Sequence, residues 1–214
     1  MEVTFPGLHE KIISVCPDIS DRVFVHQHYQ EEHCNWMLAI ENYNECYHCK
    51  VVHSDFSEGI IDPKSYNIVP MTSMQILHHH ALCASGNNAW YDTQGSDYNS
   101  FYFWPGASIQ IYPGGMINTY HWRPQEANLS RVYRSWFSKD GTISSDLQKV
   151  IDLDKTTTFA EDIDLLNNVQ RGLHNMGYKP GPLVCHEEQG IDSEHSVVAL
   201  HQWLKQAEQQ YANK

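Results

Sequence analysis

The 214 residues carry 41 % hydrophobic and 19 % charged side chains, a balance that suits one globular domain with its own core and excludes disordered and fibrous classes. Lys and Arg number 14 against 26 Asp and Glu, a formal charge of −12, which argues against nucleic-acid binding, where phosphate contacts demand a basic face. No apolar run approaches the roughly 18 residues that cross a bilayer, so one domain over 1–214, soluble and cytoplasmic, is expected. The opening residues, Met1 to Ser14, hold acids early and lack the apolar stretch of a secretory signal.

In chain order, residues 33–53 read as the first helix. Trp36, Ile40, Tyr43 and Tyr47 recur at helical spacing and make an apolar stripe, while Glu41, Glu45 and His48 fall at i, i+4 and i+7 on another face. From Ser65 to Phe137 the pattern changes to strands. Met74–Leu77, Ser100–Trp104, Ser108–Tyr112, Met116–Trp122 and Leu129–Phe137 are aromatic and β-branched, with turn signals such as Pro113-Gly114-Gly115 between them. Short turns between neighbours predict an antiparallel sheet. Thr158 with Glu161 is a possible capping box opening a helix to about Gly172. A last helix follows Ser193, with Val197, Leu200, Leu204, Ala207 and Tyr211 near helical spacing. Strands grouped between helices predict an α+β fold.

The chemistry concentrates in two places. Glu45 and His48 are i, i+3 and share a helix face; His48 and His53 are i, i+5, about 140° apart on an ideal helix, and converge only if the helix ends or bulges between them. Far downstream, Asp162 lies in the middle of the stripe Phe159, Leu165, Leu166, Val169 and Leu173, whereas Asp164 faces away. A carboxylate on a buried stripe is costly unless paired or bound to a cation. The bland reading is a capped helix end with two satisfied histidines and a buried salt bridge; basic partners, however, are scarce. Two histidines plus one buried carboxylate also form the ligand set of a non-heme Fe(II) site with open positions.

Other clusters are weaker. The six cysteines, Cys16, Cys34, Cys46, Cys49, Cys83 and Cys185, are scattered and read as reduced thiols. Cys46 and Cys49 are the one close pair. A structural zinc site would want a second pair, and Cys185-His186 is a single weak candidate; a thioredoxin-like motif lacks its βαβ surroundings. In the His78-His79-His80 tract only His78 and His80 would share a strand face, which favours a structural role.

The run Asn35-Trp36 through Glu45-Cys46-Tyr47-His48-Cys49 to His53 closely resembles the iron-binding segment of Rieske-type non-heme iron oxygenase alpha subunits. Thr158 to Leu173 resembles the segment giving the third ligand, and Trp104-Pro105 with Ile109 to Pro113 the strands between. The resemblance covers roughly residues 30 to 175. It implies a helix-grip fold, an antiparallel sheet wrapped around a long helix. It also implies one Fe(II) on His48, His53 and Asp162, with Glu161 as runner-up third ligand and Tyr47 and the neighbouring cysteines as packing residues. Glu45 takes the place of the acid that passes electrons between metal centres.

Such subunits usually carry a Rieske [2Fe–2S] cluster on a Cys-x-His with a Cys-x-x-His pair, and that paired set does not occur in this chain. The cluster is therefore expected on another chain or in a missing N-terminal region, with a reductase as partner, dioxygen as co-substrate and a homotrimer in the complete enzyme. A fragment, a split subunit and a non-catalytic relic all stay open. The Glu-Cys-Tyr-His-Cys context resembles the branch acting on choline, carnitine and glycine betaine, rather than the naphthalene type with Asp. A small quaternary ammonium compound or N-methyl amino acid is therefore the expected substrate, with aromatic ring hydroxylation as runner-up. The acidic balance and the strand aromatics Trp90, Tyr91, Tyr98, Tyr102, Trp104, Tyr112, Tyr120 and Trp122 agree with an onium ion, although strands favour aromatics anyway. A helix-grip module that binds without catalysis and a redox protein using Cys46 and Cys49 are the readings from other classes.

Overall fold

The alternation along Leu129–Ser138 (β7) is complete: Ser130, Val132, Arg134, Trp136 and Ser138 are buried, and the residues between them are not. That is the period-two pattern of a strand with one covered face. In the computed structural model, which describes residues 5–85, 89–91 and 96–213, β7 lies inside a seven-stranded antiparallel sheet. The other strands are Val23–Glu32 (β1), Asn67–Met71 (β2), Ile76–Ala81 (β3), Tyr98–Phe103 (β4), Ala107–Ile111 (β5) and Ile117–Glu126 (β6). Their order is β1-β7-β6-β5-β4-β3-β2, so β2 to β7 form a meander and β1 returns beside β7.

Register decides what each face carries. Arg134 pairs with Tyr120, Tyr120 with Ser108, Ser108 with Tyr102 and Tyr102 with Leu77. Directly opposed residues share a face, so this row marks the inner face, joined by Gln110, Ser100 and His79 one step along. Seven helices complete the described fold: Leu8–Val15 (α1), Trp36–Asn44 (α2), Cys49–Val52 (α3), Ser54–Gly59 (α4), Ser145–Thr156 (α5), Thr158–Leu173 (α6) and His195–Ala212 (α7). Residues of α2, α5, α6 and α7 join the inner face in one core: Ile40, Val150, Phe159, Leu200 and Trp203 are all at most 1 % exposed. The outer face has a smaller core, in which α1 sets Leu8 and Ile12 against Ile76, Phe101, Ile111 and Ile117. This antiparallel α+β architecture agrees with the expected fold class. No described helix is long and apolar enough to cross a membrane; residues 1–4 of the opening segment lie outside the described residues.

Several expectations need correction. The helix over 33–53 is two helices, α2 and α3, with a third, α4, following from Ser54. Asn35 caps α2 by accepting from the Met37 N–H at 3.0 Å. At its end the Asn44 amide donates back to the Ile40 carbonyl at 2.8 Å, and Ser196 donates to the Asn44 carbonyl at 2.6 Å. Glu45 is then extended, with φ −116° and ψ 143°. Tyr47 falls beyond the break and is 49 % exposed, so it is no packing residue. Thr158 forms no capping box, because no side chain caps α6 and Glu161 turns elsewhere. In α6 Phe159 and Leu166 of the expected stripe are buried, but the stripe continues through Gln170 while Val169 is exposed; in α7 the buried stripe runs through Val197, Leu200 and Trp203, and Tyr211 is exposed. Finally, Cys46 and Cys49 are joined by a disulfide instead of standing as free thiols.

Candidate metal centre

The break after Asn44 is what builds the site. The chain leaves α2 extended at Glu45 and turns through His48, which precedes α3; His53 then sits between α3 and α4 with φ −107° and ψ 61°. The two imidazoles, divergent on a continuous helix, thereby meet edge to face with ring centroids 4.9 Å apart. Asp162 reaches the same point from the first turns of α6. The His48 Nε2 and His53 Nε2 atoms lie 3.1 Å apart, with Asp162 Oδ1 at 2.9 Å from His53 Nε2 and 3.7 Å from His48 Nε2. One ligand atom from each residue falls within 4.8 Å of the others, and among the described residues this is the one such His/Cys/Asp/Glu group. Two imidazoles and one carboxylate converging from one side suit a ferrous ion with open positions.

Each ligand has its own support. His48 Nδ1–H donates to Glu45 Oε1 at 2.5 Å and His53 Nδ1–H donates to Glu161 Oε2 at 2.8 Å. Both Nε2 atoms are thereby turned inward, the carboxylate–histidine arrangement that orients metal ligands. The Asn42 amide donates to Asp162 Oδ1 at 2.7 Å. Glu161, the runner-up third ligand, thus stands behind His53, on the far side of the ring from Asp162. Glu45 Oε2 also accepts from the Tyr47 N–H at 2.6 Å, which holds the turn that carries His48.

The electrostatics follow from this packing. Burial works against a charged His48, but the Asp162 and Glu45 carboxylates outweigh it and hold the ring up to about 9. Burial and Asp162 oppose each other in the same way at His53, which is also raised. Burial disfavours the Asp162 anion, yet the two imidazoles hold it well below the usual carboxylate range. The site is an anion that gathers positive charge, and a divalent cation would replace the ring protons there.

The residues that surround the triad were not all legible in the sequence. Asp154 lines the same pocket and is ion-paired to Arg134, which is 1 % exposed. The Arg134 guanidinium lies over the rings of Phe159 at 3.7 Å and Tyr120 at 4.1 Å. Asp154 continues the buried stripe Leu147, Val150 and Ile151 of α5, so the acid-in-a-stripe signal that singles out Asp162 would have found it. Glu32, at the end of β1, is 3 % exposed, and burial, with Asp162 nearby, pushes its carboxyl up to about 8. Nothing in the local sequence marks it. Tyr43, Tyr66, Tyr98, Tyr112 and Tyr120 also line the pocket, and no Lys or Arg does among the described residues. Of the strand aromatics, Trp104 and Trp122 instead line a separate surface cleft with Trp36.

The histidine tract separates as its strand dictates. His78 and His80 share the outer side, where His78 donates to Asn99 Oδ1 at 2.9 Å and stacks on Phe101, and His80 donates to Asp97 at 2.9 Å. His79 faces the pocket but both its nitrogens are taken: it donates to Asn44 Oδ1 at 3.1 Å and accepts from the Tyr66 hydroxyl at 2.7 Å.

Known proteins share this fold. Residues 20–209 match the family described as the ring hydroxylating alpha subunit, catalytic domain. Among curated relatives, the carnitine monooxygenase oxygenase subunit of Escherichia coli K12 is 24 % identical over 212 residues, covering 96 % of this chain and 55 % of that protein. The corresponding subunit of Acinetobacter baumannii is 24 % identical over 213 residues, covering 98 % and 57 %. This chain therefore spans about half the length of the curated relatives it matches. A solved quaternary ammonium Rieske monooxygenase superposes with TM-score 0.86 at 21 % identity, over 96 % of this chain and 56 % of that one. Dicamba monooxygenase bound to dicamba superposes with TM-score 0.67 at 13 % identity, over 91 % and 60 %. Both likenesses concern the fold.

Proposed function

The chain belongs to the ring-hydroxylating alpha-subunit catalytic domain family, and on that premise we propose that it is a mononuclear non-heme Fe(II) oxygenase domain held on His48, His53 and Asp162. The observation that carries the reading is the convergence of three ligand atoms within 4.8 Å, each imidazole backed by its own carboxylate. Bound there, ferrous iron would supply the activation of dioxygen for insertion of oxygen into a carbon–hydrogen bond. The chain's own residues do the rest. Glu45 and Glu161 fix the two rings by their Nδ1–H groups, and Asn42 orients the Asp162 carboxylate.

The substrate we propose is a small quaternary ammonium compound or N-methyl amino acid. Hydroxylation beside nitrogen gives a hemiaminal that collapses with loss of an aldehyde. Solved relatives hold L-carnitine and gamma-butyrobetaine. In this chain the pocket combines tyrosine rings with the carboxylates of Glu45 and Asp162, and no Lys or Arg lines it among the described residues. An onium ion against an aromatic face gains about 0.5–2 kcal/mol. Titration calorimetry of the iron-loaded domain with betaine, carnitine and choline against neutral aromatics of similar size tests this. Binding of the ammonium compounds is expected, and binding of the aromatics alone would favour ring hydroxylation.

Electrons are proposed to come from a Rieske [2Fe–2S] cluster outside these 214 residues, fed by a reductase and delivered through Glu45 in a homotrimeric assembly. Glu45 fits that role because its carboxylate touches a ligand ring and is itself 15 % exposed. Turnover is expected only when a Rieske protein is added; product formation with a reductase alone would contradict it. A module that binds the same cation without oxidising it remains the alternative from another class, and iron content with dioxygen uptake separates the two.

A further inference from the structure

Two cysteines line the pocket that gathers the candidate ligands. Cys46 and Cys49 are each 5 % exposed, line the pocket with His48, His53 and Asp162, and are bonded to each other. Their bond encloses Tyr47 and His48, so it spans the turn that presents one ligand, directly after Glu45. Tyr47 is half exposed, which puts this turn at the surface and the sulfurs just beneath it. The described cysteines elsewhere, Cys16, Cys34, Cys83 and Cys185, are free thiols, and none of them lines this pocket.

We propose that Cys46 and Cys49 are a reversible dithiol–disulfide site that consumes hydrogen peroxide beside the metal. The proposal rests on the iron reading above. A ferrous site that meets dioxygen without substrate would be a source of peroxide, the two-electron reduction product, one electron coming from the iron and the second from the external Rieske cluster proposed above, and peroxide with ferrous iron oxidises the nearest side chains. The nearest are the ligand imidazoles, and a thiol pair in the same wall competes with them. One sulfur, as thiolate, attacks a peroxide oxygen; the O–O bond breaks, leaving a sulfenic acid and hydroxide, which takes a proton to become water. The second thiol displaces the sulfenic oxygen as another water and closes the S–S bond. One dithiol and one peroxide thus become one disulfide and two waters. A small thiol such as glutathione reverses it, two thiols being oxidised to their own disulfide as the pair is reduced.

The test uses the full chain, reduced, loaded anaerobically with Fe(II) and treated with one equivalent of hydrogen peroxide, with peptide mapping by mass spectrometry after alkylation. The Cys46–Cys49 peptide is expected to lose two hydrogens before the exposed Cys185 gains oxygen. A Cys46→Ser/Cys49→Ser variant is expected to add oxygen to His48 or His53 several-fold faster than the unsubstituted chain. Oxidation of Cys185 while Cys46 and Cys49 stay alkylatable would overturn the proposal, as would equal rates of histidine oxidation. If the double variant fails to fold, the order of thiol oxidation in the unsubstituted chain decides alone. Iron content is measured on the same samples: a chain that takes up no iron refutes the iron reading, whereas the order of thiol oxidation is read with or without it.

Discussion

The chain contains two buried clusters of histidines, and they differ in what stands behind the rings. His48 and His53 give their Nδ1–H groups to Glu45 and Glu161 and turn both Nε2 atoms toward Asp162. His78 and His79 spend ring nitrogens on the neutral groups of Asn99, Asn44 and Tyr66. The consequence is electrostatic. Carboxylates hold His48 up to about 9, whereas burial without a charged partner pushes His79 down to about 3. Both clusters satisfy their polar groups, but only the first leaves ring nitrogens aimed at one point beside an anion. The partner of a histidine, more than its burial, decides whether it is part of a site or of a core.

Removing a ligand should break the contrast most. Asp162→Ala is expected to abolish stoichiometric Fe(II) uptake in anaerobic dialysis. His78→Ala should load as the unsubstituted chain does, yet lose about 1–3 kcal/mol of stability by leaving Asn99 unpaired; denaturant unfolding measures that. Equal iron uptake by both variants would erase the distinction between the clusters.

A smaller effect is expected behind the ligands. Glu161→Ala should weaken Fe(II) binding about 10–100-fold, the usual cost of losing such a support, and Glu161→Gln should recover part, since its amide oxygen still accepts from His53. Competition with a chromophoric chelator gives both affinities. No loss on Glu161→Ala would show that His53 needs no support.

The pH dependence is gentler still. In the metal-free fold the His48 value of about 9 lies above the ordinary 6.5. Its contribution to stability is therefore complete below 6.5 and is lost as pH rises through about 9. Iron must displace that proton, so affinity should fall as pH drops below about 9, by about tenfold per unit for each proton released. An affinity that stays flat over that range would contradict the carboxylate-held ring. The faintest signal is His79, whose ring resonances should not move between about pH 8 and pH 5; a midpoint near its ordinary value would mean its neutral environment is misjudged.

Much of this was legible because the relevant signals are local. The aromatic runs at Ser100–Trp104, Ser108–Tyr112 and Leu129–Phe137 are strands, to within a residue or two, and Asp162 stands out as an acid on an apolar stripe. Where the signal is tertiary, it was missed. β1 reads Val-Phe-Val-His-Gln-His-Tyr-Gln-Glu-Glu and is a sheet edge with most side chains partly exposed, so its alternation is weak. α1 finds its place only because the outer sheet face is apolar. The apparent helix over 33–53 stops at Asn44 because Ile40, Ser196 and His79 all claim that residue, contacts 4 to 152 positions away in the chain. Glu161 looked like a cap because its true partner, His53, is 108 residues distant.

The central claim is that one ferrous ion is held by His48, His53 and Asp162. Crystals grown anaerobically with Fe(II), with anomalous diffraction recorded on both sides of the iron edge, test it directly. The account predicts a single strong peak within bonding distance of His48 Nε2, His53 Nε2 and an Asp162 oxygen, with Glu161 outside the coordination sphere. A peak at His78, His79 or His80, or none among the three ligands in crystals that contain iron, would contradict it.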